Sequence, residues 1–207
     1  MHDNEKSFSS FVNWARGQTT LMFEIRIHGR GGQGVVTAAE MLSIAAFEQD
    51  QYSQAFPSFG SERMGAPVVA YVRIDNEPIE LCEPVMSPGL LIIQDPTLFH
   101  AVDVFSGLTP DGFVLINTSR EIPDLHIEEV VQHLPENHVA TVAATELAMH
   151  HLGRPTPNTV LIGALCALTG VIHLPAVVKA INAKFSGVVA ENNIRAAQAA
   201  FEAASAA

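Results

Sequence analysis

Apolar and polar positions change rhythm several times along this chain, and each change marks an element. From Phe23, FEIRIH alternates apolar and polar residues and reads as a strand. GRGGQG follows, then VVTAAEMLSIAAFEQ, where helical spacing puts Val35, Ala38, Ala39, Leu42 and Ala45 or Ala46 on one face. The order is strand, glycine turn, helix, and the alanine content suits a helix lying close against a sheet. A second extended piece, QYSQAF, comes next, followed by the loop FPSFGSERMGAP, the strand VVAYVRI and a turn at Asp75 and Asn76. The loop is rich in Gly, Pro and Ser yet carries Glu62 and Arg63, more specific chemistry than a connector needs.

The middle of the chain alternates strand-length apolar runs with stretches that predict helices: GLLIIQD, PTLFHAVDVF, GFVLIN, IEEVVQHL and HVATVAA. Continuous runs such as LLII and FVLI fit strands buried on both faces of a parallel sheet. Beyond Ala144 every segment predicts helix: TELAMHHL, then, after a break at GRPTPN, NTVLIGALCALTG, LPAVVKAINAKF and VAENNIRAAQAAFEAA. The expected fold class is α/β: a mostly parallel, Rossmann-like sheet flanked by helices, with a helical C-terminal layer. Residues 1–22 are polar and mixed in charge and are expected to form an N-terminal extension, with Phe11 and Trp14 as its contact candidates. Residues 23–207 are expected to form one α/β domain.

Composition narrows the function classes. With 207 residues, 48% hydrophobic and 16% charged, the chain can bury one real core. Eleven Lys and Arg against 22 Asp and Glu leave a formal charge of −11, and between Ile74 and Val178 the only Lys or Arg are Arg120 and Arg154. Such a chain is repelled by nucleic acid and by anionic lipid, so neither is expected as a partner. Cys82 and Cys166, both in apolar stretches, are too few for a disulfide framework and too far apart for a metal knuckle or a cluster ligand set. That cysteine usage leads to the expectation of a reducing, hence cytoplasmic, compartment; no apolar run approaches membrane length and the start lacks the order of a secretory signal.

Gly29, Gly31 and Gly34 satisfy GxGxxG after a strand and before a helix, where the first helical N–H groups suit a phosphate or carboxylate. A dinucleotide also needs an acid at the end of the second strand, but QYSQAF ends in Phe56 and Pro57, which disfavours NAD. A P-loop is excluded because Val35 and Val36 stand where Lys and Ser/Thr belong. The turn is open to two readings: a ligand cradle with Arg30 and Gln33, or a tight turn that only lets helix and sheet pack. Arg30 and Arg63 lie in glycine-rich loops expected at one end of the sheet, where they could clamp a phosphate or pair with nearby acids. The nine histidines read as structural or exposed, with His126, His133 and His138 in polar ground. No GxSxG occurs, and no catalytic or metal residue is predicted.

Four ordered segments, IHGRGGQGVVTAAEMLSIAA, FPSFGSERMGAPVVAYVRI, PNTVLIGALCALTG and KFSGVVAENNIRAAQAAFE, resemble the gamma subunit of 2-oxoacid:acceptor oxidoreductases of the pyruvate and ketoisovalerate:ferredoxin type. The resemblance runs from Phe23 to Glu202. Met64 departs from it, standing where the family usually carries a second Arg. The resemblance implies a complex that decarboxylates a 2-oxoacid oxidatively to acyl-CoA, with thiamine diphosphate, Mg and [4Fe–4S] clusters in alpha, beta and delta-type sister subunits. Ferredoxin or a flavin/NAD subunit is the implied acceptor. Pyruvate, branched-chain, 2-oxoglutarate and aryl glyoxylate substrates such as phenylglyoxylate all remain open. For this chain it implies coenzyme A binding and assembly, with Gly29, Arg30, Gly31, Gly32, Gln33, Gly34, Ser61, Glu62 and Arg63 facing the ligand, and an inactive isolated subunit. The alternatives are a stand-alone Rossmann-like nucleotide-binding protein or a pure scaffold subunit.

Overall fold

The computed structural model describes residues 22–58 and 64–206. The element order is β1 (Phe23–Arg30), α1 (Val35–Phe47), β2 (Tyr52–Ser58), β3 (Pro67–Asp75), β4 (Leu90–Ile93), a 3-10 turn (Pro96–His100) and β5 (Phe113–Asn117). A second 3-10 turn (Ile122–Leu125) follows, then α2 (Glu128–Val131), β6 (Val139–Val142), α3 (Ala144–Leu152), α4 (Asn158–Thr169), α5 (Leu174–Lys184) and α6 (Gly187–Ser205). The strands form one sheet in the order β2-β3-β1-β4-β5-β6. β1, β4, β5 and β6 are mutually parallel, and β3 runs antiparallel to both of its neighbours, β1 and β2. The α/β architecture with a mostly parallel sheet and C-terminal helices is as the sequence predicts.

One face of the sheet carries the main core. Ile25 and Ile27 of β1, Ala70, Val72 and Ile74 of β3, and Leu90 and Ile92 of β4 pack beneath α1, α4, α5 and α6. On α1, Val35, Ala38, Ala39, Leu42 and both Ala45 and Ala46 are buried, with Met41 added to the predicted face. Small side chains bring these helices close. A Cβ on Gly163 of α4 would lie 2.0 Å from the Ala197 carbonyl oxygen of α6, so that crossing admits no side chain. Cys166, on the same helix, is buried, and its desolvated thiol is pushed up to about 12, which makes it chemically inert. Cys82 lies instead in an exposed loop.

The other face is thinner. A small cluster joins Ile93, Leu98, Val104, Val114, Ile116, Leu125 and Ile127. PTLFHAVDVF, predicted as a helix, forms only the 3-10 turn Pro96–His100, and IEEVVQHL yields only the four-residue α2. The reason lies in the anchors: Leu98 and Val104 are both buried but six positions apart, which in a helix sets them about 120° apart and off a single narrow face.

Over β1 and β3 this face is covered by loops. Arg26 is buried and donates to the carbonyl oxygens of Val85 (3.4 Å), Val104 (3.1 Å) and Ser106. Arg73, 1% exposed, pairs with Glu24 at 2.8 Å and donates to Gln54 Oε1 (3.2 Å) and the Pro84 carbonyl (3.4 Å). Its guanidinium carbon also sits 5.7 Å from the Phe56 ring centre. Buried loop carbonyls need donors, and here guanidinium groups projecting from the sheet supply them.

Candidate functional site

The site lies where the chain leaves β1. After β1 the path turns through α1 toward β2 and β3, whereas after β4 it continues toward β5 and β6. The carboxyl ends of β1 and β4 thus mark the topological switch point of the sheet, the place where open α/β sheets form a ligand crevice.

GRGGQG fills that place and is fixed on three sides. The Gly31 N–H donates to the Ala66 carbonyl at 2.9 Å, and the Gly65 N–H returns to the Gly31 carbonyl at 3.1 Å, stapling the turn to the segment that enters β3. A Cβ on Gly29 would meet Val35 Cγ2 at 2.6 Å. Gly34 takes the left-handed conformation (φ 76°), and a Cβ there would meet Asn158 Nδ2 at 2.5 Å, so the start of α1 abuts the start of α4. As the N-cap, Gly34 offers no side-chain acceptor, and the first turn of α1 holds no acid. Those N–H groups keep their capacity for an anion.

Arg30 and Gln33 meet one acceptor, Asp95, at the end of β4. Asp95 Oδ2 accepts from Arg30 Nε at 3.1 Å and from Gln33 Nε2 at 3.0 Å. Its Oδ1 accepts from the Thr97 N–H (3.0 Å) and hydroxyl (2.6 Å), capping the 3-10 turn. Burial pushes this carboxyl up, but the bonds from Thr97 and Gln33 and the charge of Arg30 outweigh it and hold it below the usual range. Arg30 also donates from Nη2 to Thr97 Oγ1 at 2.8 Å and from Nη1 to the Gly65 carbonyl at 3.1 Å. A guanidinium has five N–H donors. One on Nη1 and one on Nη2 have no partner among the described residues, and the side chain is 28% exposed.

A polar layer lies beneath the turn. Gln94 is buried with both side-chain polar atoms unpartnered among the described residues, and its Oε1 would lie 3.1 Å from a Cβ on Gly29. Asn117, at the end of β5, donates to the Gln94 carbonyl (2.7 Å) and to Thr145 Oγ1 (2.8 Å), and accepts from the Thr145 N–H (3.0 Å). On the opposite face of β1, His28 is buried with neither ring nitrogen partnered among the described residues. Burial, and then the charge of Arg26, push it down to about 4, so it is neutral near pH 7.

Six of the nine predicted ligand-facing residues, Gly29, Arg30, Gly31, Gly32, Gln33 and Gly34, come together at this point. Ser61, Glu62 and Arg63 lie outside the described residues, as do Phe11 and Trp14 of the expected extension. Of the readings open for Arg30, the structure shows the ion pair to an acid. Asp95, Thr97, Gln94, Asn117 and Asn158 were missed. A signal existed for the first two: Asp-Pro-Thr at the end of a buried strand is a turn-capping sequence. His126 and His133 are exposed as expected, but His138 is half-buried and stacks on Phe113 with ring centres 3.9 Å apart. Among the described residues there is no group of three or more His, Cys, Asp or Glu side chains able to hold a metal. No described helix is long and apolar enough to cross a membrane. The place a dinucleotide's ribose-holding strand would occupy beside β1 belongs to antiparallel β3, which meets the turn with Pro67.

Residues 24–203 match the family model described as pyruvate ferredoxin/flavodoxin oxidoreductase. The chain belongs to that family. It is 45% identical over 183 residues to the pyruvate/ketoisovalerate oxidoreductases common subunit gamma of Pyrococcus furiosus, covering 87% of this chain and 96% of that one. The pyruvate oxidoreductase subunit PORC of Thermotoga maritima superimposes with a TM-score of 0.74 at 36% identity, covering 87% of this chain and 96% of that chain. Within the family, therefore, this is the gamma-type subunit of a 2-oxoacid:ferredoxin oxidoreductase. The 2-oxoglutarate:ferredoxin oxidoreductase of Magnetococcus marinus, solved with 2-oxoglutarate, coenzyme A and succinyl-CoA bound, shares the fold (TM-score 0.72, 17% identity). That match covers 90% of this chain and 31% of that one.

Proposed function

We propose that this subunit binds coenzyme A for the complex, holding the pyrophosphate at the GRGGQG turn and the start of α1, with Arg30 as the cation beside it. The observation that carries the reading is the switch-point turn itself: an uncapped helix start beside a partly exposed guanidinium with two unpartnered donors among the described residues. A polyanion needs such a local cation in a chain of net charge −11. The bound coenzyme A in the Magnetococcus marinus protein of the same fold supports the choice of ligand. Ser61, Glu62 and Arg63 are proposed to complete the ligand-facing set.

In this reading the substrate is a 2-oxoacid, pyruvate by analogy with the curated relatives, and the product is its acyl-CoA. Thiamine diphosphate supplies the decarboxylation chemistry when bound, and it is assigned with the clusters to the sister subunits. Two cysteines in the whole sequence, one of them buried and inert, do not make a ligand set for a [4Fe–4S] cluster here. The chain's own work is to orient coenzyme A and to join the subunits.

The test uses the assembled complex, purified anaerobically through a tag on this chain. Arg30→Ala is expected to raise KM for coenzyme A roughly tenfold or more, the loss of a charge-assisted contact. Unchanged coenzyme A dependence would leave this chain a scaffold.

A further inference from the structure

Asp95 bonds in four directions, yet only two of those bonds concern its own turn. Oδ1 caps Thr97, which is local. Oδ2 reaches across the switch point to Arg30 and Gln33, residues 65 and 62 positions away in the chain. A carboxylate this close to a phosphate-binding cation carries an electrostatic cost, for it cancels the charge that the ligand needs. Its geometry offers the compensating gain. Thr97 Oγ1 and Asp95 take the Nε and Nη2 edge of the guanidinium, and the Gly65 carbonyl takes Nη1, so the plane of Arg30 is held from two sides. The donors left over are one on each terminal nitrogen, both on a charged group able to bond the oxygens of an anion. Gln33, bonded at 3.0 Å to the same Asp95 oxygen and accepting from the Arg30 N–H at 2.7 Å, locks the turn that carries the arginine.

We propose that Asp95, with Thr97, is the positioning residue of the coenzyme A site, holding Arg30 so that its free terminal N–H donors are in place for a phosphate before the ligand arrives. The proposal rests on the coenzyme A reading given above. Asp95 touches no ligand in it, and its effect passes through Arg30. Preorganisation of this kind lowers the ordering cost paid on binding and therefore appears in affinity.

The experiment is a double-mutant cycle on the assembled complex, with KM for coenzyme A and kcat read separately for wild type, Arg30→Ala, Asp95→Asn and the double variant. Asparagine keeps the shape, but either orientation of its amide sets an N–H against a donor, the Thr97 N–H or the Arg30 and Gln33 pair. The expected result for Asp95→Asn is a KM raised about tenfold, with the change falling on KM rather than on kcat. The double variant is expected to match Arg30→Ala alone, because Asp95 has nothing to aim once Arg30 is gone. Thr97→Val, which removes only the hydroxyl between the two, is expected to raise KM about threefold and serves where Asp95→Asn prevents assembly. Effects that multiply in the double variant overturn the proposal, as does an unchanged KM in Asp95→Asn and Thr97→Val beside a raised one in Arg30→Ala. If Arg30→Ala itself leaves KM unchanged, the coenzyme A reading falls and this inference falls with it.

Discussion

Over β1 and β3 the two faces of the sheet reach burial by different means. Beneath the helices, β1 presents Ile25 and Ile27 to alanine-lined surfaces that meet with no room to spare, as at Gly163 and Ala197. Beneath the loops, the same strand presents Arg26 and His28, and β3 adds Arg73. The first face is held by dispersion and exclusion of water, so it tolerates no added volume. The second is held by charged donors aimed at backbone carbonyls, an arrangement that lets irregular loops be buried without a helix to satisfy them. What distinguishes the faces is the kind of change each can absorb.

The sharpest break of that comparison is Gly163→Val. Its branched side chain would be driven into the Ala197 backbone, and the expected loss is about 4 kcal/mol, seen as a large fall in Tm or in the denaturant midpoint. A variant that melts like wild type would mean that the helical face can part, against the close packing described.

Acid separates the faces next. His28 is neutral in the folded chain, with a pKa near 4 against an ordinary value of 6.5. Between those limits the unfolded chain binds the extra proton, so stability is full above about pH 6.5 and falls as the pH drops toward 4, by about 3 kcal/mol in all. Asp95, held below its ordinary value of 3.8, contributes stability that is lost only at lower pH, as it is protonated through its folded value. Urea titrations at pH 7 and pH 4.5 on wild type and His28→Leu isolate the histidine, whose removal should flatten the difference.

Arg26→Leu is expected to cost about 2 kcal/mol, less than the glycine change, because the freed carbonyls of Val85, Val104 and Ser106 can turn to water when the loops lift. Hydrogen exchange should quicken in residues 84–86 and 102–106 and not in α4 or α6. Smallest of all is Lys179→Ala, which deletes an exposed pair to Glu48 at 3.1 Å and should shift stability by less than about 0.5 kcal/mol.

Much of the helical face was legible in the chain because its signal is local. The α1 stripe of Val35, Ala38, Ala39, Leu42, Ala45 and Ala46 repeats within one window, and every member of it is buried. GxGxxG was placed correctly for the same reason. The rest depends on who sits beside whom. The alternation of FEIRIH shows a strand, but the loops that cover Arg26 come from 59 and 78 positions away. Asp95 becomes a partner of Arg30 only because β4 pairs with β1, and the insertion of β3 between β2 and β1 is likewise invisible to any short window. The short 3-10 turn at Pro96–His100 is not legible locally, because apolar content alone predicts a helix there and the Leu98 to Val104 spacing, off one helical face, is the weaker signal.

The tight crossing of α4 and α6 also fixes an order of events during synthesis. Chains emerge from the ribosome N-terminus first, so α4 is made while its seat on α6, at Ala197, does not yet exist. Through that interval the stripe around Gly163 is naked apolar surface in search of a neighbour. A nascent chain stalled before residue 187 would leave that stripe uncovered until the last helix is made.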